Sequence, residues 1–325
     1  MRKLSIILVI IFFIIDFTNA QPWKRKRWEA IGIIGVSNFL GELGGTDDIG
    51  GEGMAGFRDI EFKTTRHAIG IGMQYRMGEQ FYSKINLIHG KVAGNDNLTN
   101  EPFRRWRNLH FRSPIVELSY NVMFTINKEQ GGHRYKLKGV RGRKSLQMNT
   151  YFFVGIGGIW FNPKAKYEGK WVALRKLGTE GQGLPQITFP DIKEPISPSK
   201  KYSPVTLVIP IGLGFRRQIN RQLNMAIEYG IRKTFTDYLD DVSTVYYDPF
   251  LMSDMAADLS IGANEFKDLS LDPNASIQSV TDPHFSYTTS PGQRRGDPDD
   301  KDVYMFFVLT FNYVMKDSRS FWPKF

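Results

Sequence analysis

Cysteine is absent from this chain of 325 residues, and histidine occurs only five times. Without cysteine the protein has no disulfide bonds, and it cannot be a lipoprotein anchored through a lipidated cysteine. None of the five histidines stands in a recognisable catalytic motif, and nucleophilic catalysis needs a base and an orienting group beside the nucleophile. The sequence therefore predicts no catalytic site and a protein that is not an enzyme.

Long apolar runs are also missing, except at the start of the chain. Residues 4–15 are almost wholly apolar, follow Met1-Arg2-Lys3 and lead to the small residues of Thr18-Asn19-Ala20. This pattern predicts a secretory signal peptide over residues 1–20, cleaved after Ala20, with an uncleaved anchor as the alternative. Beyond it no run approaches eighteen apolar residues, so we expect no transmembrane helix in the mature chain, residues 21–325.

Apolar and polar residues alternate instead, in eight separate segments of the mature chain. In a soluble domain this alternation indicates a half-buried strand. Repeated eight times in an exported chain, with aromatic residues at strand ends, it predicts a transmembrane β-barrel whose apolar face looks outward to lipid. The clearest segment is 116–126, where Val116, Leu118, Tyr120, Val122, Phe124 and Ile126 form one face and Glu117, Ser119, Asn121 and Thr125 lie on the other.

The predicted fold is all-β: a single antiparallel barrel of about eight strands in the outer membrane. Segments of about ten residues match the length that a tilted strand needs to cross a bilayer. The fifth segment is apolar on both faces, so its register stays open, and Pro210 predicts a bulge in the sixth because proline has no N–H. Ten or more strands also stays open. The eight predicted strands are 28–39, 67–77, 80–92, 115–126, 147–161, 205–216, 223–234 and 303–313.

The connections alternate in length, as expected for such a barrel with its N-terminus in the periplasm. Periplasmic turns are predicted at 78–79, at 218–221 and, longer than usual, at 128–146. Within the last outer loop, residues 254–266 are predicted to be helical, and the role of its acidic segment 254–300 is left open. The predicted outer loops are 41–66, 93–114, 162–204 and 235–302.

Charge is unevenly distributed between the two predicted ends. The formal net charge is +10, yet the outer loop 235–302 holds 14 acidic residues against Lys267, Arg294, Arg295 and Lys301. Basic residues gather at the periplasmic end, including Arg216, Arg217 and Arg221 at one turn. Such a face predicts an acidic or phosphate-bearing partner, although solvated turns are the simpler interpretation of any one of them. The candidate contacts are Lys24, Arg25, Lys26, Arg27, Arg134, Lys136, Lys138, Arg141, Arg143 and Lys144.

Other candidate sites have simpler structural interpretations. The acids of 237–241 lack the spacing of a calcium loop, and such residues commonly cap helices or sit in solvent. Gly155, Gly157 and Gly158 are expected to make room inside the barrel or to ease its curvature. We therefore predict no metal site, no cofactor and no nucleic-acid partner. Polar residues of the lumen are expected to pair across it and to fill it: Lys84, Asn86, Glu117, Asn121, Glu228 and Arg232.

Several ordered motifs resemble one known family. They include Arg107-Asn108-Leu109-His110-Phe111-Arg112-Ser113-Pro114, Gly178-Thr179-Glu180-Gly181-Gln182-Gly183 and Tyr238-Leu239-Asp240-Asp241-Val242-Ser243. With the glycine-rich segments 35–44, 151–158 and 209–214 and with Pro163-Lys164-Ala165, they cover most of residues 28–250. The set resembles the PorG family of outer-membrane proteins of Bacteroidetes.

This resemblance implies an outer-membrane component of the type IX protein secretion system. It implies periplasmic ring proteins of the PorK and PorN kind as partners, together with outer-membrane lipid. The motif residues Arg107, Asn108, Arg112, Ser113, Tyr238, Asp240 and Asp241 then belong to outer loops, where the motif 238–243 is expected to organise the loop fold. A paralogue outside the secretion machine, a small porin or transporter, a structural barrel, and an enzyme using rim histidines (His67, His89, His110 or His284) stay open as alternatives.

Overall fold

Ten β-strands account for most of the residues that the computed structural model describes. It describes residues 27–41, 43, 63–99, 102–126, 148–189, 195–198, 200–220, 222–262 and 289–315. The strands are β1 (Trp28–Leu40), β2 (Arg66–Arg76), β3 (Phe81–Asn95), β4 (His110–Thr125), β5 (Met148–Phe161), β6 (Lys164–Tyr167), β7 (Lys170–Ala173), β8 (Val205–Gln218), β9 (Leu223–Thr234) and β10 (Val303–Val314).

Eight of these strands close into an antiparallel barrel. The order around the ring is β1, β2, β3, β4, β5, β8, β9 and β10, and pairing between β10 and β1 and between β3 and β4 leaves no open edge. Closure pairs every strand on both sides, which a sheet in lipid requires. The predicted transmembrane barrel of eight strands is confirmed, and β6 and β7 form an additional hairpin beyond the barrel wall.

Several strand boundaries and connections differ from the sequence prediction. Strand β4 begins at His110 rather than at residue 115, because its first residues pair with the end of β3 and with β6. The loop predicted over 93–114 shrinks accordingly to residues 96–109. The predicted helix over 254–266 is observed over Asp254–Ser260. The helices are α1 (Pro102–Arg107), α2 (Leu174–Leu177) and α3 (Asp254–Ser260), with 3-10 turns at Asp96–Leu98 and Pro249–Leu251.

The bulge expected at Pro210 is wrong. Between β5 and β8 the register is the same on both sides of the proline, since Val154 pairs with Ile211 and Gly157 with Val208. Two residues on each strand thus lie between these pairs, whereas a bulge needs one extra residue on one strand. The two pairs between them are missing from this ladder, as expected for a residue that has no N–H to donate.

The two ends of the barrel differ. We call the end where β1 begins the turn end, because residues 77–80 and 219–222 connect strands there. We call the opposite end the loop end; it carries α1, α2, α3 and the hairpin of β6 and β7. The predicted signal peptide 1–20 and turn 128–146 lie outside the described residues.

The outer face of the barrel is apolar. Alternate residues of β4, such as Leu118, Tyr120 and Phe124, are exposed, while the residues between them are buried in the lumen. In β5, Phe152, Val154 and Ile156 face outward and Tyr151 and Phe153 inward, which settles the register that sequence left open. Among the described residues, no helix is long and apolar enough to span a bilayer.

The lipid-facing role of this surface predicts a large effect of one exposed substitution. Leu118 is 56% exposed near the middle of β4, and L118R places a charge in hydrocarbon. We expect L118R to lower the free energy of unfolding in phospholipid vesicles by about 2–4 kcal/mol.

Leu184, 37% exposed outside the strands at the loop end, supplies the matched control. L184R is expected to lower the free energy of unfolding by less than about 0.5 kcal/mol. Both values are measured by urea titration in phospholipid vesicles. Equal effects of the two substitutions would mean that lipid does not cover the outer face.

Candidate functional site: the lumen and the loop-end cap

Three buried ion pairs cross the lumen. Lys84 Nζ of β3 lies 2.7 Å from Glu228 Oε1 of β9, and Arg216 Nη2 of β8 lies 2.6 Å from Glu29 Oε1 of β1. In the third pair, Arg232 Nε of β9 lies 3.4 Å from Glu117 Oε2 of β4. Each pair joins two strands that are not neighbours in the ring, so the pairs act as struts across the barrel.

Tyrosines donate further hydrogen bonds to two of these carboxylates. The Tyr151 hydroxyl donates to Glu228 at 2.6 Å, and the Tyr304 hydroxyl donates to Glu117 at 2.7 Å. A buried carboxylate needs such extra donors because one ion pair does not replace its hydration. The cross-lumen pairing expected for Lys84, Glu117, Glu228 and Arg232 is therefore confirmed, and Asn86 and Asn121 are buried as well.

One lumen pair was missed by the sequence analysis. Arg216, assigned there to a periplasmic turn, is 4% exposed and points into the lumen. Its even-numbered neighbours Gly214 and Gly212 also face inward along β8, so the strand alternation carries the signal that places Arg216 inside. Arg217 is exposed at the turn end, and Arg221 lies outside the described residues.

Glycines make room for these lumen side chains. A Cβ on Gly214 would lie 2.3 Å from the Tyr151 ring, and one on Gly155 would lie 2.5 Å from Asn121 Oδ1. Gly157 likewise faces Ser119. Gly158 has no such neighbour within 3.9 Å of an added Cβ, because the nearest atom is Thr206 O at 4.0 Å; the expectation of a space-making role fails there.

The loop-end half of the lumen is filled by apolar side chains. Barrel residues Ile33, Ile88 and Phe306 belong to a buried cluster that also contains Leu239 and Val242, which follow β9. These two loop residues carry the motif 238–243 into the top of the barrel. Apolar packing there continues the filling that Lys84–Glu228 and Arg216–Glu29 provide nearer the turn end, while Arg232–Glu117 lies at the level of Ile88 and Phe306. A filled lumen is expected for a barrel of eight strands.

A buried polar network, which we call the cap, ties the outer loops together above this plug. Arg295 Nη1 donates to Glu180 Oε1 at 2.9 Å and to the backbone oxygen of Asp241 at 2.5 Å. The Asp241 carboxylate accepts from the hydroxyls of Thr179 and Tyr202. Burial raises the pKa of Asp241 to about 6, against the opposing effects of Arg295 and the two hydroxyls.

A second cluster fastens α1 to the cap. Arg107 Nε lies 2.8 Å from Asp96 Oδ2, and its Nη1 donates to the backbone oxygen of Arg295 at 2.9 Å. Asn108, in the left-handed region at φ 56°, donates through Nδ2 to the backbone oxygen of Gly262 at 3.0 Å. Burial raises the pKa of Asp96 although Arg107 opposes it. The loop after β3 is thus joined to both ends of the 262–295 segment.

The remaining motif residues hold local structure or lie outside the cap. The Ser113 hydroxyl accepts from the Asn162 N–H at 3.2 Å, and Asp240 Oδ1 accepts from the Val242 N–H at 2.9 Å. Tyr238 stacks on Tyr202 with ring centroids 4.5 Å apart. Asp237, Asp240 and Asp241 are all buried, so the expectation that these acids cap a helix or sit in solvent is wrong.

The three histidines that the structure describes do not form a shared site. His67, His89 and His110 lie on the outer faces of β2, β3 and β4, and His110 Nε2 accepts from the Lys166 N–H at 2.9 Å. His133 and His284 lie outside the described residues. Within the described ranges, no group of three His, Asp or Glu side chains is arranged to hold a metal ion.

The candidate partner contacts fall almost entirely outside the described residues. Of that set only Arg27 is described; its Nη1 donates to the Tyr75 hydroxyl at 2.7 Å. Its location at the start of β1 identifies the end of the barrel to which the N-terminal basic run leads.

Comparison with known proteins gives weak structural likenesses. No protein-family model and no curated protein matches the chain. It is similar to the N-terminal β-barrel domain of OprF from Pseudomonas aeruginosa, at 6% identity and TM-score 0.30, covering 89% of this chain and 98% of that one. It is also similar to the outer membrane protein OprG from the same organism, at 10% identity and TM-score 0.32, covering 90% and 98%. The fold assignment rests on the strand pairing given above.

The buried struts predict a strong effect of removing one partner of a pair. K84M leaves the Glu228 carboxylate buried beside Tyr151 without its cation. We expect K84M to lower the free energy of unfolding by about 3–5 kcal/mol, measured by urea titration of the folded barrel in detergent micelles.

The double variant K84M/E228Q is the control, because it leaves no unpaired charge and keeps an acceptor for the Tyr151 hydroxyl. The double variant is expected to recover most of the free energy of unfolding that K84M loses. A double variant as unstable as K84M would show that packing, rather than charge pairing, dominates at this site.

Proposed function

We propose that this chain is a non-enzymatic, plugged barrel of the outer membrane that anchors a periplasmic assembly of a protein secretion system. The observation that carries the proposal is the filled lumen. Three ion pairs and an apolar cluster occupy the space that a porin or transporter needs for a water path. A barrel closed in this way acts through its two ends.

The turn end is the end suited to an acidic partner. Strand β4 ends and β5 begins there, so the segment between them emerges on the same side as Arg27. That segment, residues 128–146, carries seven basic residues and the single acid Glu129. The exposed Arg217 adds to the same side. Like charge concentrated on one end steers an oppositely charged partner toward it.

The resemblance to the PorG family gives this partner a specific form. Its motifs include 178–183 and 238–243, and both contribute to the buried cap. In that family the barrel is associated with the type IX secretion system and contacts a periplasmic ring. We propose ring proteins of the PorK and PorN kind as partners of Lys24 to Arg27 and of residues 134–144.

Charge reversal on the turn end tests this role. The variant R134E/K136E/K138E/R141E is expected to reduce co-purification of ring subunits with the tagged barrel by at least about tenfold, because complementary charge at the contact is lost. Secretion of cargo by the same cells should fall in parallel.

The matched control reverses four exposed lysines on the other side of the membrane, in K63E/K176E/K200E/K201E. This variant should retain the ring subunits, and both variants should keep the heat-dependent gel migration of a folded barrel. Unchanged co-purification by the turn-end variant would overturn the proposal.

A further inference from the structure

Five cations line one side of the barrel wall at the loop end. Lys91 lies on β3, Arg112 on β4, Lys164 and Lys166 on β6, and Lys170 on β7. We call them the basic strip. Lys91 lies on the same face of β3 as the outward Leu87, and Arg112 lies on the same face of β4 as the outward Leu118. In β6, Lys164 and Lys166 alternate with the buried Ala165. The strip therefore faces away from the lumen.

Two of these cations stand directly opposite each other. Arg112 of β4 is the register partner of Lys164 of β6, which places both side chains on one face of adjoining strands. Lys91 pairs with Pro114, two residues along β4 from Arg112. Like charges in opposed positions destabilise a sheet unless an anion lies between them. The arrangement thus favours a bound anion over an empty surface.

The part of the chain that the structure describes supplies no ion-pair partner to this strip. Among the described residues, none of the five cations forms an ion pair within 4.0 Å. Two acids lie at the hairpin: Glu168 at its exposed tip, and Asp258, which accepts from the Tyr167 hydroxyl at 3.0 Å. The Arg112 guanidinium lies 4.1 Å from the Trp171 ring centroid. This cation–π contact holds one face of the guanidinium, and its N–H donors at the edge still suit a phosphate.

The strip borders the lipid-facing surface. Val116 follows Arg112 by four residues on β4, a rise of roughly 13 Å along the strand. Trp160 pairs with Val116 and is 42% exposed, as expected for an aromatic residue at the membrane–water interface. Acyl chains that cover Leu87 and Leu118 thus carry their headgroups to the level of the basic strip.

We propose that the basic strip binds the phosphate groups of an anionic lipid in the outer leaflet of the membrane. The apolar wall receives the acyl chains, and Arg112 with Lys164 and Lys166 receives the phosphate. The proposal rests on the proposed placement of the loop end at the cell surface, and is independent of any contact with a periplasmic ring.

Lipid binding by the full chain in detergent micelles tests it, with diphosphorylated lipid A as the probe and native mass spectrometry as the readout. The variant R112Q/K164Q/K166Q is expected to bind lipid A about a hundredfold more weakly, since each cation near an anionic lipid surface contributes roughly a factor of five. Heat-dependent gel migration reports folding of the variant.

The control K63Q/K176Q/K200Q removes the same charge from exposed residues that are not part of the basic strip, and should bind lipid A as the unmodified protein does. Binding by the triple strip variant within twofold of the unmodified protein would overturn the proposal, as would an equal loss in the control. Competition by an equal concentration of inorganic phosphate would also overturn it, because the site would then bind soluble phosphate. The strip variant is expected to lose lipid A binding and still to co-purify with ring subunits, so a failure of this proposal can be told apart from a failure of the proposed secretion role.

Discussion

The pairing of buried charges across a narrow lumen is the constraint on which the rest of this structure depends. Because lipid covers the middle of the wall, the charged side chains in the middle of the strands lie inward, where water is scarce. Glu29, Glu117 and Glu228 are therefore buried, and each has a cation from a strand that is not its neighbour in the ring. Because an unpaired buried charge costs several kcal/mol, these pairs also fix which strands face each other.

A filled lumen moves function to the two ends of the barrel. At the loop end, Arg295, Glu180 and Asp241 bind segments that are distant in sequence into one cap over the apolar plug. This rigid closure leaves outward surfaces, such as the strip around Arg112, as the places where the loop end can meet other molecules. At the turn end, the segment that joins β4 to β5 carries seven basic residues and one acid, and we propose that this positive charge binds the acidic partner.

Much of the barrel was predictable from the sequence, because alternation of period two reports directly on which side of a wall a residue lies. The strands over 205–218 and 223–234 follow this pattern with little ambiguity. The fifth strand did not, since Tyr151 and Phe153 fill the lumen while Phe152 and Val154 meet lipid, and both sets are apolar. Pairing with β4 and β8 decides its register, and that information is not local.

The cap was beyond prediction for a related reason. Asp241 pairs with Thr179 and Tyr202, which are 62 and 39 residues away along the chain, and its acidic neighbours gave the appearance of a solvated turn. The lumen residues Glu117 and Arg232, by contrast, were identifiable as charges on the inward faces of two clear strands. Sequence thus locates polar residues in the lumen better than it pairs them in loops.

Conductance across a planar lipid bilayer tests the central claim of a closed lumen most directly. The purified full chain, with a known open porin as the positive control in the same membrane, is expected to give no stepwise current above background in molar salt. Stable, ohmic current steps that scale with the amount of inserted protein would contradict the account, because ions would then be crossing a space that the three charge pairs and the apolar plug are held to fill.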